Sequence, residues 1–134
     1  MSTLRKLIRA CVDDERMLQH ESKLVDARRA EALRLLAHER AQFVADLERL
    51  DSAPRHSAGS WAELLREAGR DAFVLAAGRN TGDSIATCRR SRARTEKRYE
   101  KALEGSWSDD ARRVLAAQQR RLHDEARELV HLQF

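Results

Sequence analysis

A chain of 134 residues is long enough for one domain with a real core and too short for two comfortable ones. With 42% apolar and 36% charged residues, five glycines and one proline, it excludes a disordered chain and indicates an all-α fold. The formal charge of +4 is concentrated: residues 84–103 hold seven basic and two acidic side chains, and the rest sums to −1.

Five helical segments are expected, in chain order. The first, roughly 3–25, carries Leu4, Ile8, Cys11, Leu18 and Val25 on one stripe. The second, about 28–50, carries Leu33, Leu36, Phe43, Leu47 and Leu50. "DSAPRHSAG" (51–59), with Pro54, is the main loop. Ser60 and Glu63 then form a capping box before a shorter helix ending near Gly78 and Gly82, with Trp61, Leu65, Ala68, Ala72 and Leu75 on its buried face. Asp83 is positioned to cap a fourth helix, about 84–104, and "GSWSDD" separates that helix from the last, about 109–132. The last is lined by Ala111, Leu115, Leu122, Leu129 and Leu132.

Four of these segments are about 35 Å long at 1.5 Å per residue. Two antiparallel pairs joined by a helical crossover account for the shorter middle segment. The expectation is therefore a single domain, 1–134: a ferritin-like four-helix bundle with an additional helical crossover.

Each long helix breaks its apolar stripe with polar residues. Glu15 interrupts the first row, Glu39 and Arg40 the second, Arg92 the fourth (Ile85, Cys88, Arg92, Thr95, Tyr99, Leu103), and Gln118 and Glu125 the last. Threaded onto the crossover topology, Glu15, Glu39, Arg92, His123 and Glu125 fall within about 6 Å of one height. Buried carboxylates need a cation. One candidate is the protein's own Arg92, helped by Arg40, giving a charge-paired core of Glu15, Glu39, Arg92 and Glu125. The alternative is di-iron or di-manganese held by Glu15, Glu39, Glu96, His123 and Glu125. The E-x-x-H spacing of such sites occurs once, at Glu128–His131, near the bundle's end, and Glu39 is followed at +3 by Gln42, a poor ligand. The metal-free core is preferred on those grounds.

"TLRKLIRACVDD", "LLAHERAQFVADL", "SWAELLREAGRDAF", "GDSIATCRRSRARTEKRYEKAL" and "LHDEARELV" together resemble an uncharacterised bacterial domain-of-unknown-function family of ferritin-like bundles. The resemblance spans essentially the whole chain. It implies the crossover topology and a link to the rubrerythrin-related superfamily, and it implies no established activity. Similar proteins are usually acidic after the position of Cys88, where this chain has "RRSRAR", a change that weakens an inherited carboxylate site at Arg92.

Other features have plainer readings. Cys11 and Cys88, about 15 Å apart in height, are small buried residues rather than a disulfide. Tyr99 belongs to the core, and Trp61 and Trp107 seal bundle ends. His20, His38 and His56 are surface residues, and His123 lies at the core edge. Arg90, Arg94, Lys97, Arg98 and Lys101 form a basic arc opposite the apolar row, a polyanion surface in principle. Glu96 and Glu100 flank that arc and no helix-turn-helix is present, so nucleic acid is not the expected partner.

No nucleophile constellation or phosphate loop occurs, so an enzyme reading depends on a bound metal. No apolar run is long enough to cross a bilayer, and "MSTLRKLIRACVDDE" lacks the pattern of a signal peptide. The functional expectation is a cytoplasmic, non-enzymatic binding or assembly protein without cofactor or membrane, acting through self-association or a protein partner.

Overall fold

The computed structural model describes residues 2–51, 63, 66 and 81–134. Among them are four helices and no strand: α1 (Thr3–Ser22), α2 (Ala27–Leu50), α3 (Thr81–Ala102) and α4 (Asp109–Gln133). None is long and apolar enough to cross a membrane. The loop containing Pro54 and His56, the Ser60 half of the capping box, Trp61 and the apolar row after it lie outside the described residues.

Three helix starts are fixed by short polar caps. Ser2, Asp26 and Ser108 adopt extended backbone and accept from the amides of Arg5, Arg29 and Ala111 respectively. Each satisfies a donor that the first turn cannot pair internally. Asp83 and Gly82, expected between two helices, lie inside α3 instead. At the α3–α4 turn, Arg112 donates to the carbonyls of Leu103 (3.0 Å) and Gly105 (2.7 Å), tying the turn to the last helix. Arg29 donates to the carbonyl of Leu132 at 2.6 Å, satisfying an unpaired acceptor at the end of α4.

Side-chain pairs give the helix directions. Arg40 of α2 meets Asp14 of α1, while Arg5 near the start of α1 faces Asp51 just beyond the end of α2. Cys11 touches Tyr99 and Asp14 touches Ser91, so α3 runs against α1. Arg121 reaches Glu39 and Gln118 reaches the Phe43 carbonyl, so α4 runs against α2. The order is up, down, down, up. Leu50 and Thr81 therefore lie at opposite ends of the bundle, as a crossover connection requires. Arg66, within that connection, contacts Glu15 at the middle of α1.

The core comes in two apolar parts. One contains Leu7, Ile8, Val12, Phe43, Val44, Leu47, Tyr99, Leu115 and Leu122, with Trp107 packed against it. The other contains Leu18, Leu33, Leu36, Ala37, Ile85, Cys88, Leu129 and Leu132. At roughly 2 kcal/mol for each large apolar side chain buried, these two clusters supply most of what drives the helices together. Between them lies a layer that is polar.

Candidate functional site

Arg40 occupies the centre of that layer. It falls on the same row of α2 as Leu33, Leu36, Phe43 and Leu47, so helix geometry forces it inward, and it is 1% exposed. Its Nε donates to Asp14 Oδ2 at 3.1 Å. Nη1 and Nη2 donate to the two carboxylate oxygens of Glu125 at 3.1 and 2.6 Å, a bidentate pair. The guanidinium carbon lies 5.2 Å from the centre of the Phe43 ring, within cation–π reach. Asp14 accepts on its other oxygen from the Ser91 hydroxyl. The crevice beside the pair, bordered by Met17, Leu18, Cys88 and Leu129, has no room for a water molecule.

Electrostatics follow from this packing. Burial pulls the Arg40 pKa down, but Glu125 and Asp14 outweigh it and the net direction is up, so the guanidinium is always charged. Burial raises the carboxyls of Asp14 and Glu125, with Arg40 opposing the rise at both. Ser91 and Thr95 also oppose it at Asp14, through hydrogen bonds to the charged form. One cation between two acids cannot neutralise both, so the group as a unit takes up a proton above the ordinary carboxyl range.

A second polar chain lies toward the α1 N-terminus. The Tyr99 hydroxyl donates to Gln118 Oε1 at 2.6 Å and sits 3.3 Å from Cys11 Sγ. Gln118 Nε2 donates to the Phe43 carbonyl at 3.3 Å. Tyr99 and Cys11 are fully buried, Gln118 nearly so, and all three are satisfied by one another and by backbone.

Four helices do contribute polar residues at one level, but the expected membership needs correction. Glu125 is central, paired to Arg40 rather than Arg92. Asp14 takes the place expected of Glu15. Glu15 is held by Arg66, at 3.0 and 3.2 Å. Glu39 sits on the half-exposed α2–α4 face in a bidentate pair with Arg121, at 2.8 and 2.7 Å, and Arg121 also reaches Glu128. The hydrogen bonds to Glu39 raise the Arg121 pKa.

Arg92 does not enter the core. It lies in the groove between α3 and α4, donating to the Leu122 carbonyl at 2.9 Å and pairing with Glu96. One residue earlier, Ser91 takes the inward position, and its small side chain suits the close approach of α1 and α3. Arg92→Ala should therefore cost about 1–2 kcal/mol, read as a fall in the urea midpoint, because a partly buried hydrogen bond and ion pair are lost while no core charge is stranded.

The expected metal set does not converge. Glu15, Glu39, Glu96 and Glu125 are each engaged by a different arginine: Arg66, Arg121, Arg92 and Arg40. His123 is exposed and lies 3.2 Å from Glu96. Burial acts to raise the Glu96 carboxyl, but its bonds to Arg92 and His123 prevail and hold it below the ordinary value. Among the described residues no group of three or more His, Cys, Asp and Glu side chains is arranged to hold a metal ion.

Cys11 and Cys88 are both buried and neither is in a disulfide, one lying in each apolar cluster. Trp107 is partly buried at the bundle end, its Nε1 donating to the Ala102 carbonyl at 2.7 Å. His38 is exposed and His20 partly exposed. Arg90, Arg94, Lys97, Arg98 and Lys101 are all exposed on α3. Two residues that the sequence reading passed over, Asp14 and Arg66, prove to hold the centre and one flank.

Among the described residues, fold and site together define an all-α arrangement of four helices with a charged layer between two apolar cores. Comparison with family models, with curated proteins and with solved structures gives no match.

Proposed function

We propose that this chain is a non-enzymatic bacterial binding or assembly protein of ferritin-like, rubrerythrin-related type, in which an arginine takes the central position that a di-metal centre takes in metal-binding bundles. The observation that carries this reading is Arg40, bonded through Nε to one acid and through both terminal nitrogens to the other, in packing too tight for water. A guanidinium so placed competes directly with a metal for the same oxygens. The up-down-down-up order of the described helices supports the ferritin-like assignment. With the centre closed, the outer surface is left to act, on a second copy of the chain or on another partner, in the cytoplasm.

Metal analysis of protein grown in iron- and manganese-supplemented medium tests the reading. The expected result is substoichiometric metal, unchanged in Glu15→Ala and in Glu125→Gln. Near-stoichiometric iron or manganese, lost in either variant, would replace it with the oxidoreductase or metal-storage reading.

A further inference from the structure

At the end of the bundle where α1 begins and α3 finishes lies a cavity of about 390 Å³. That volume is at the scale of small-molecule sites. Its cationic lining is Lys6 from α1 and Arg98 and Lys101 from α3, and no carboxylate among the described residues lines it. Its apolar lining is Leu7, Ala102 and the indole of Trp107. The Trp107 N–H is already spent on the Ala102 carbonyl, so that ring offers the cavity apolar surface only.

Arg29, Arg40, Arg49, Arg66, Arg92 and Arg121 are all committed to carboxylates. The side chains of Lys6, Arg98 and Lys101 make no ion pair or hydrogen bond among the described residues. Arg98 acts on the Asp13 carboxylate, outside the cavity, which also faces Arg9 and Arg16. The first turn of α1 holds no acidic side chain either, so the helix dipole adds to the positive field rather than being offset. Three like charges gathered around one concavity repel each other unless an anion joins them.

We propose that this cavity binds a small organic phosphate, its dianionic group held by Lys6, Arg98 and Lys101 and a planar apolar body resting on Trp107. Three cations match a phosphate dianion better than a single carboxylate. The apolar wall distinguishes the site from a surface that merely attracts anions, since a phosphate alone would leave that wall wet. A long polyanion is the less suitable occupant. It needs a continuous basic track, and Glu100 on the exposed side of α3 and Glu104 just beyond its end interrupt one.

Phenyl phosphate, inorganic phosphate and a heparin fragment serve as probes, with Trp107 fluorescence read in a Trp61→Phe background. Phenyl phosphate should quench or shift the signal saturably and bind more tightly than inorganic phosphate. Lys6→Ala and Lys101→Ala, both exposed and expected to fold, should each weaken it roughly tenfold, whereas Arg94→Ala, outside the cavity, should leave it unchanged. Absence of saturable binding overturns the proposal. So does equal binding of inorganic phosphate, or heparin binding that Arg94→Ala weakens as much as Lys101→Ala does. The proposal is independent of what fills the bundle's centre.

Discussion

Arg40→Met should lower the unfolding free energy by about 3–5 kcal/mol at neutral pH, because it strands two buried carboxylates without their cation. Methionine fills much of the same space and keeps the helix, so the loss is one of charge compensation rather than of volume. The deficit should depend on pH in a defined direction. Asp14 and Glu125 have folded pKa values raised above their unfolded ones. Protonation of such groups favours the fold, fully so below the unfolded values, and that contribution disappears as pH rises through the folded values. Arg40 opposes the rise at both acids, so removing it moves their folded values further up. The variant then loses stability over a wider pH range than the wild type does. Urea unfolding should show the largest gap near pH 7 and a narrowing gap as pH falls toward about 4. A gap under about 1 kcal/mol at neutral pH, or one that grows on acidification, would mean that water reaches the centre and screens it.

A companion variant separates the cost of stranded charge from the worth of the cluster itself. Arg40→Met combined with Glu125→Leu and Asp14→Asn removes all three charges and keeps an acceptor for Ser91. Its stability should return to within about 1–2 kcal/mol of the wild type, since buried ion pairs rarely outperform apolar packing. The cluster would then be a device for specificity. Arg40 bonds both α1 and α4 only when α2 sits at one height, whereas the apolar clusters on either side would tolerate sliding by a turn.

How far the centre could be read from the sequence follows from helix geometry. Moving one residue along a helix changes height by only about 1.5 Å but rotates the side chain by about 100°. The height at which four helices bring polar groups together was therefore legible, and Glu125 and Arg40 were both visible as breaks in apolar rows. The face was less so. In "VDDER", Asp14 and Glu15 each fit a row containing Cys11 and Leu18, by steps of three then four or four then three. The same ambiguity after Cys88 offered Ser91 or Arg92 as the step before Thr95. The acidic or basic residue stood out in the sequence, yet the small serine is what the α1–α3 contact accommodates. Arg66 was hidden for another reason. Its partner Glu15 lies 51 residues away, and no local period records which face of the crossover meets α1.

Cys11 should react with a thiol reagent at pH 8 roughly a thousandfold more slowly in the native protein than in urea, even before steric exclusion is counted. Burial pushes its thiol up to about 12, with Arg40 and the Tyr99 hydrogen bond only partly opposing the rise. The reactive thiolate is therefore nearly absent in the folded state. A Cys88→Ser background isolates the signal. Because Cys11 sits in the same layer of packing as Tyr99, Phe43 and Leu122, native labelling requires that cluster to open. Low urea should then accelerate labelling with the slope of global unfolding. Arg40→Met, which should weaken the fold by several kcal/mol, should accelerate it by roughly two to three orders of magnitude at neutral pH and by less on acidification, once the lower thiolate fraction is corrected for. Fast labelling that ignores urea would show a local opening beside α1 and would separate the Cys11–Tyr99–Gln118 chain from the charged layer. Labelling that follows urea and Arg40→Met together would show the two to be one cooperative unit, closed to solvent by the same packing that leaves no room for water at Arg40.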